Sequence, residues 1–407
     1  MSHGVNQRLG STVNATYVSG NWNRSMDEKY DGNSDFKSNM MSQTFLNQLN
    51  DRYATTLLPL TIVFGVFGIV GIFGNIFVFI VYGCGTKFKD RKFRYFVLSL
   101  GFIDFLTCLT LIPAEILKHG TYFNFTERYL CKMKCFMNVF AAAGASYCLM
   151  LVAVDRYILT CRPMLCKNVP QISHSWAWRL CLMMLLLAVL TSIPAAVLCG
   201  ISSDVITDFN GNVTTEISAC ESEPYFKHGI SRYVYRIFLS VMQILVSLLM
   251  IVLYARIGHT VSQAMKIREA RNPHDIQMYD YRANWEQRPK NGGHQPGTPI
   301  YGPYHQDHQH HHHHHHHIPA NIKLLFIVTV VFIVTYVLYL ALSWIDQKQL
   351  TQTQFLVFSM FYRSYFIHSI INPILYLKMD THFRGQCLRF MKSLFCVEKL
   401  RRLYRRY

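Results

Sequence analysis

Charged residues are scarce in this sequence. They make up 15% of its 407 residues, and hydrophobic residues make up 51%, whereas roughly 25% of the residues in an ordinary soluble domain are charged. The apolar residues are collected in long runs and do not recur with the period of an amphipathic helix or strand. The composition therefore excludes an ordinary soluble domain and indicates a chain that crosses a membrane several times.

Ionisable residues are also scarce inside the apolar runs. A membrane enzyme needs a nucleophile with its base, or a set of His, Asp and Glu residues around a metal ion, and neither group stands out. A transporter or channel needs ionisable residues at mid-depth in several helices, or internal repeats, and only Asp104, with Asn75 and Asn372, lies at that depth. We expect neither an enzyme nor a metal site, and a transporter or channel is disfavoured.

Seven apolar runs are long enough to cross the hydrocarbon core of a bilayer as helices of about 20 residues. Their predicted bounds are 57–83, 93–117, 133–160, 178–200, 232–257, 320–345 and 353–379. The predicted fold class is an all-α membrane protein, a seven-transmembrane helix bundle over 57–379. An extracellular tail over 1–56 precedes the bundle, and a short cytoplasmic helix with a basic tail over 380–407 follows it.

Two independent features orient the bundle. Lysine and arginine cluster after the first, third and fifth runs and in the C-terminal tail, so these segments are assigned to the cytoplasm. The glycosylation sequons fall on the opposite side, at Asn14, Asn23, Asn124 and Asn212. The N-terminus is therefore expected outside, with no cleaved signal peptide, because the first 50 or so residues contain no apolar core. We attribute the net charge of +17 to this topology and to anionic membrane lipids, not to nucleic acid.

Polar motifs close the third and seventh runs: Asp155-Arg156-Tyr157 and Asn372-Pro373-Ile374-Leu375-Tyr376. With both motifs in place, the chain resembles a rhodopsin-like, class A G-protein-coupled receptor from about 57 to 396. The resemblance implies a plasma-membrane receptor that binds an extracellular ligand and activates a heterotrimeric G protein.

The resemblance also implies a switch at the cytoplasmic ends of the helices. Asp155 would hold Arg156 in the resting receptor, and activation would free Arg156 to meet the G protein, with Tyr254 and Tyr376 turning towards it. A charge pair at the edge of the bilayer can rearrange at low cost, which suits a switch. A purely structural ion pair, and tyrosines that merely sit at the membrane interface, are the alternatives.

A polar core is predicted in mid-membrane from Asn75, Asp104, Ser369 and Asn372. In the family that the chain resembles, this carboxylate often coordinates sodium, but Ala145 stands where a polar ligand is usual and His368 replaces an asparagine. Only a weak sodium site at Asp104 is therefore expected, and no other cofactor. His368 is either a satisfied core histidine or a pH-sensitive neighbour of Asp104. The sixth run also departs from the family pattern, since Tyr336 replaces its tryptophan and Leu338 its proline.

The cysteines are interpreted by location. The resemblance implies a disulfide between Cys131, at the extracellular start of the third run, and Cys220 in the second extracellular loop, with Cys135 as the competitor of Cys131. Cys387 and Cys396 follow the seventh run in a basic amphipathic stretch, where palmitoylation and simple reduced thiols are both open. The loop over 258–319 ends in eight histidines, His310 to His317, and is predicted to be disordered. Inert low complexity or an affinity tag explains this tract better than a metal site, which needs spaced ligands.

The ligand class is weakly encoded. Asn138 stands where aminergic receptors carry an aspartate, and Phe366 where opsins carry the retinal-linking lysine, so amines and light are disfavoured. Arg363 in the seventh run would prefer an anionic partner, which is either the ligand or Glu115 of the second run. A peptide is favoured by the glycosylated tail and the acidic second loop, and a carboxylate-bearing lipid is the alternative. The candidate pocket residues are Asn138, Arg232, Arg236, Tyr336, Arg363 and Glu115, with Lys132 and Lys134 as further cations nearby.

Overall fold

The structure is a computed structural model, and it describes residues 15–18, 32–84, 93–161, 174–208, 214–221, 223–226, 229–270, 320–345 and 350–404. Ten α-helices lie in this part of the chain. They are α1 Gly32–Val78, α2 Phe93–Leu106, α3 Ile112–Gly120, α4 Arg128–Cys161, α5 His174–Leu198, α6 Ile230–Ala270, α7 Ala320–Leu342, α8 Gln352–Tyr362, α9 Phe366–Met379 and α10 Thr381–Tyr404. A π-helical stretch, Phe79–Cys84, continues α1, and another, Thr107–Leu111, joins α2 to α3.

Six helical segments within the described residues are long and apolar enough to cross a membrane: Met40–Gly83, Phe93–Gly120, Arg128–Cys161, Trp176–Leu198, Ile230–Ile267 and Lys323–Leu342. They correspond to the first six predicted runs. Many large apolar side chains on these segments face outwards, and those of Ile62, Ile69, Leu190 and Val334 are at least 60% exposed. Such a surface is unfavourable in water and suits a lipid environment, so the predicted helix bundle is confirmed.

The seventh run is divided into α8 and α9 by a turn at 363–365. Across this turn the backbone forms i to i−3 hydrogen bonds, from Phe366 N to Arg363 O at 3.1 Å and from Ile367 N to Ser364 O at 3.0 Å. This tighter 3₁₀ pattern keeps the backbone donors satisfied where no water is present. The helices α8 and α9 together cover the predicted run 353–379, and the turn places Arg363 at the junction of the two helices.

A small extracellular sheet, which the sequence did not predict, covers one end of the bundle. Its strands are β1 Ala15–Val18, β2 Ile201–Asp208 and β3 Thr214–Cys220, paired antiparallel in the order β1-β2-β3. The strands β2 and β3 belong to the second extracellular loop, and β1 comes from the N-terminal tail. The fold is thus mostly helical, with a three-stranded cap outside the membrane.

The tail predicted over 1–56 is partly helical, because α1 begins at Gly32. The outer part of α1 packs against the cap through a cluster of Leu49, Phe123, Ile206 and Ile217. Two polar contacts fix the same interface: Ser42 Oγ lies 2.6 Å from Thr215 Oγ1, and Phe123 N donates to Asn50 Oδ1 at 2.9 Å. These contacts stabilise helix where the sequence alone predicts only a polar tail.

The cytoplasmic boundaries also differ from the prediction. The helix α6 continues to Ala270, past the predicted end at 257, and the remainder of the loop, with its histidine tract, lies outside the described residues. The helix α10 begins after Asp380, whose carboxylate accepts hydrogen bonds from His382 N and Phe383 N at 2.9 and 3.0 Å. Tyr82 OH donates to the other oxygen of Asp380 at 2.7 Å, which ties α10 to the end of the first span.

Candidate functional site

A cavity of about 700 Å³ opens between the helices on the side of the extracellular cap. Side chains of α1, α3, α4, α5, α6, α7 and α8 line it, and β2 and β3 contribute Ser202, Ile217 and Cys220. Its inner end is formed by Ser146, Val246 and Tyr336. A concave, partly apolar cavity with a few polar groups is the usual form of a ligand site.

A buried ion cluster occupies one wall of this cavity. Both oxygens of the Glu115 carboxylate are engaged: Oε2 lies 2.9 Å from Arg363 Nε, and Oε1 lies 2.8 Å from Lys134 Nζ. Each of the three side chains is at most 11% exposed. Of the two partners that the sequence left open for Arg363, the structure has Glu115. Because a buried charge needs a partner, the turn at Arg363 and the first turn of α3 hold each other in place.

The other candidate pocket residues lie around the same cavity. Asn138 Nδ2 donates to the hydroxyl of Tyr339 at 3.0 Å, and the guanidinium of Arg236 lies 4.5 Å from the ring centroid of Trp344. Tyr336 packs on Phe332 with ring centroids 4.5 Å apart. Arg232 is exposed at the rim. The structure therefore brings all six predicted pocket residues to one cavity.

Lys132 does not line this cavity. Its ammonium group donates to Cys199 O at 3.0 Å and to Ala196 O at 3.3 Å, and it lies 3.0 Å from the carboxylate of Glu223. Lys118, which the sequence analysis did not single out, does line it. The sequence offered little signal for this lysine, because a lysine at the end of an apolar run is typical of a membrane-interface anchor.

Two disulfides attach the second extracellular loop to α4. Cys131 bonds to Cys220, as the resemblance implied, and Cys135 bonds to Cys199. The competing pair of Cys135 with Cys220 is not present. The second bridge was not predicted, because Cys199 stands at the end of the fourth apolar run and was interpreted as part of the span.

The predicted polar core is assembled in mid-membrane. Asn372 Nδ2 donates to Asp104 Oδ2 at 2.7 Å, and Asn75 Nδ2 donates to the backbone oxygens of Gly71 and Ser369 at 2.9 and 3.1 Å. Gly74 allows the close approach of α9, because a Cβ there would lie 2.9 Å from Pro373 Cβ.

His368 is buried beside this core and contacts Phe332, with ring centroids 5.1 Å apart. Neither of its ring nitrogens has a hydrogen-bond partner among the described residues, so it is not the satisfied core histidine that the sequence favoured. The amide oxygens of Asn75 and Asn372 are also unpartnered there. Together with the carboxylate of Asp104, these amide oxygens are ligands of the kind that sodium binds. Ala145 contributes no further oxygen, and the weak sodium site stays a prediction.

The predicted switch residues lie together at the cytoplasmic ends of the helices. Arg156 Nη2 lies 3.5 Å from Asp155 Oδ2, and its guanidinium stands over the ring of Phe93 at 5.4 Å. Tyr254 OH accepts a hydrogen bond from Thr329 Oγ1 at 3.3 Å. Tyr157 is partly buried against the core of the bundle.

Tyr376 is buried and packs against aromatic rings of the first span and of α10. Its ring packs against Tyr82 and Phe383, with centroid distances of 5.9 Å to each. Within the described residues neither Tyr254 nor Tyr376 is hydrogen bonded to Arg156. This is the arrangement that the resemblance implies for a resting receptor.

The predicted glycosylation and palmitoylation sites lie partly outside the described residues. Asn14, Asn23 and Asn212 lie outside the described residues, whereas Asn124 is exposed between α3 and α4. The thiol of Cys387 is buried against the core, and this burial raises its pKa, so the reduced-thiol alternative fits it better. Cys396 lies on α10, but its side chain is outside the described part.

Comparison with known proteins assigns the class. The sequence model of the seven-transmembrane receptors of the rhodopsin family matches residues 74–376. The chain belongs to this family, which consists of receptors and not of enzymes, and it is a multi-pass protein of the plasma membrane.

Individual relatives are similar over shorter stretches. The pyrokinin-1 receptor of Drosophila melanogaster is 27% identical over 146 residues, which are 36% of this chain and 33% of the receptor. The neuromedin U receptor homolog nmur-2 of Caenorhabditis elegans is 24% identical over 31% of this chain and 32% of its own length. The human olfactory receptor 8B3 is 28% identical over 27% of this chain and 34% of its own length. The matched stretches thus span about a third of each relative.

Proposed function

We propose that this protein is a receptor for an extracellular peptide and that it activates a heterotrimeric G protein. The observation that carries the proposal is the cavity of about 700 Å³, which lies beneath a disulfide-tethered extracellular sheet and has an excess of cations on its wall. Two relatives support the peptide, since their names describe them as a pyrokinin receptor and a neuromedin U receptor homolog.

The size and setting of the cavity favour a ligand that enters by one end. Its volume is within the range of about 300–1,000 Å³ typical of small-molecule sites, so it holds a terminal residue or two of a peptide and not a whole peptide. The hairpin of β2 and β3 lies over the cavity, and its exposed polar side chains, such as Ser203 and Thr214, offer a surface for the rest of a peptide. The terminal residue bound in the cavity would then contribute much of the affinity.

The positive charge of the cavity wall favours an anionic group on the terminal residue that binds there. Lys118, Lys134 and Arg363 lie around the carboxylate of Glu115, and the described lining residues also include two carboxylates of the second extracellular loop, Asp204 and Glu221. Arg232 and Arg236 add positive charge across the cavity. An anionic group in this partly desolvated place is favoured over a neutral or cationic one.

A carboxylate-bearing lipid is the second candidate. The inner end of the cavity combines apolar Val246 with the ring of Tyr336, which suits an alkyl chain as well as a peptide side chain. The same cations would bind the head group. The choice between the two ligands rests on the extracellular cap, which offers a binding surface that a lipid would leave unused.

The G-protein step rests on Arg156. Its ion pair with Asp155 is long, at 3.5 Å, so the direct attraction that opposes its release is weaker than that of a close pair. Freed from Asp155, the guanidinium could donate several hydrogen bonds to acceptors at the end of a partner helix. Tyr254 and Tyr376 would then move towards Arg156 from the positions described above.

The test is activation of the expressed receptor by a library of synthetic peptides, with nucleotide exchange on a co-expressed G protein as the measurement. Wild-type receptor should respond to a subset of peptides, and Arg156→Ala should lose the response while binding the same peptides. Arg179→Ala is the matched control, because Arg179 also stacks on an aromatic ring, that of Trp176 at 5.8 Å. Activation by fatty acids and by no peptide would replace the peptide with the lipid.

A further inference from the structure

Lys118 occupies a distinctive place on the cavity wall. It lies in the last turn of α3, it is half-buried, and it faces the cavity. Its ammonium group stands 5.3 Å from the ring centroid of Tyr122. A lysine in such a place keeps its stem against apolar surface and its charge at the open end of the cavity.

No carboxylate pairs with Lys118 in the described part of the chain. Glu115 is close enough for its charge to act on Lys118, but both of its oxygens are taken by Lys134 and Arg363. Glu221, on the cap, acts on Lys118 in the same way and makes no ion pair with it. The charges of Lys134 and Arg363 repel that of Lys118. Lys118 is thus the cation of this cluster that pairs with no carboxylate among the described residues. An incoming anion would offset its repulsion by Lys134 and Arg363.

The residues around Lys118 indicate which chemical group should lie beside the anionic group of the ligand. Tyr53 and Tyr122 stack with ring centroids 5.3 Å apart. Phe355 meets both of them edge-on, at 5.4 and 5.7 Å, and all three rings border the cavity. Such an aromatic wall favours an apolar or aromatic group beside the charge.

We infer that Lys118 binds a ligand carboxylate carried next to an apolar or aromatic group, while Arg363 and Lys134 neutralise Glu115 and position the wall. The inference deepens the proposed function and rests on it for the role of the cavity as the ligand site. It places the anion contact on a residue of α3, whereas the sequence analysis left Arg363 open to either a ligand anion or Glu115. The carboxylate could be the free C-terminus of a peptide or the head group of a fatty acid.

The first experiment measures binding of simple probes to the purified receptor. The probes are N-acetyl-L-phenylalanine, its C-terminal amide and decanoate, and the readout is direct calorimetric titration. We expect wild type to prefer the free acid to the amide, because only the acid forms a charge-assisted pair. Lys118→Gln should lose roughly tenfold or more of the affinity for the acid and none for the amide, and Lys118→Arg should retain most of it.

Lys323→Gln is the matched control, since it removes the same charge from an exposed lysine at the cytoplasmic end of α7. Preference for N-acetyl-L-phenylalanine over decanoate would identify the carboxylate as that of a peptide, and the reverse preference as that of a lipid. Equal binding of acid and amide by wild type, or an unchanged affinity in Lys118→Gln, would overturn the inference.

A second experiment needs no ligand. If Lys118 is a binding residue that faces two other cations, Lys118→Gln should leave the apparent melting temperature of the free receptor unchanged or raised. A fall of several degrees would assign Lys118 a structural role and refute the inference. The two proposals fail separately: peptides that activate wild type and Lys118→Gln alike would contradict only the Lys118 assignment. Lys118-dependent acid binding without activation by any peptide would contradict only the peptide receptor.

Discussion

Arg363 and Glu115, 248 residues apart in the chain, form a buried ion pair in which the guanidinium Nε lies 2.9 Å from a carboxylate oxygen. The pair joins the turn between α8 and α9 to α3, and Lys134 of α4 binds the other carboxylate oxygen. One carboxylate thus holds together the three segments that form a wall of the cavity.

This geometry predicts unequal losses of stability. Glu115→Gln leaves Arg363, Lys134 and Lys118 facing one another, so we expect a loss of roughly 3–5 kcal/mol, the usual effect of an uncompensated buried charge. Arg363→Gln should cost less, because Glu115 keeps Lys134. Thermal unfolding of the two variants in detergent measures the difference. The double variant should be less destabilised than the sum, and a larger loss for Arg363→Gln than for Glu115→Gln would contradict the assignment.

The two disulfides predict a pattern of non-additive losses. Replacing Cys131 or Cys220 by serine removes the same bridge, so each variant should lose a similar amount, roughly 2–5 kcal/mol, and the double variant little more. The same should hold for Cys135 and Cys199. Variants that combine one cysteine from each bridge should lose more than either single variant, because both bridges are then absent. Peptide mapping under non-reducing conditions provides the check, and a peptide that links Cys135 to Cys220 would contradict the connectivity.

The helices were predictable from the sequence because membrane spans need long apolar runs. The third run, predicted at 133–160, is α4 at Arg128–Cys161, and the fourth, predicted at 178–200, is α5 at His174–Leu198. The outer part of α1 and the sheet were not predictable, because contacts between remote residues hold them. Asn50 bonds to Phe123, and Ser42 to Thr215, and neither pairing leaves a local pattern in the sequence.

The site was predictable only in part. The residue types of the polar core and the switch follow recognisable motifs, so Asp104, Asn372 and Arg156 were identified. Partner choice was not predictable, since Arg363 could equally have paired with a ligand or with Glu115. The second disulfide and the orientation of Lys118 likewise depend on where helix ends meet, and four cysteines alone allow three connectivities.

The salt bridges of Glu223 predict a pH dependence of stability. A hydrogen bond from Lys132, together with the charges of Lys132 and Arg128, lowers the pKa of the Glu223 carboxyl below its ordinary value of 4.5. A lowered pKa in the folded state stabilises the protein above the ordinary value, and this contribution is lost as the pH falls through the folded-state pKa. We therefore expect Glu223→Gln to lower the apparent melting temperature at neutral pH and to differ less from wild type in acid.

The control for this dependence is Glu221→Gln, which removes an exposed carboxylate two residues earlier in the same loop. Its melting temperature should follow that of wild type across the range. A difference between Glu223→Gln and wild type that stays constant from pH 7 to below pH 4 would show that the ion pairs do not stabilise the loop.

The last prediction concerns the hydrogen bond between α6 and α7 at the cytoplasmic side. Thr329 Oγ1 donates to Tyr254 OH at 3.3 Å and also contacts Leu325 O at 2.9 Å. If this bond belongs to the resting state, Thr329→Val should free the tyrosine and raise ligand-independent nucleotide exchange. A neutral hydrogen bond contributes about 0.5–1.5 kcal/mol, which corresponds to a shift of roughly two- to tenfold in the equilibrium.

Tyr254→Phe should have the opposite effect on signalling. It removes the same resting bond, but it also removes the hydroxyl that would meet Arg156 in the active state, so the maximal ligand-stimulated exchange should fall. Thr335→Val is the matched control, because among the described residues the buried hydroxyl of Thr335 bonds only to its own helix, at Val331 O and Phe332 O. If Thr335→Val raised basal exchange as much as Thr329→Val, the effect would lie in the bending of α7 and not in Tyr254. If Tyr254→Phe raised both basal and maximal exchange, the hydroxyl would serve only the resting state, since an interaction needed in the active state cannot be removed without loss of activity.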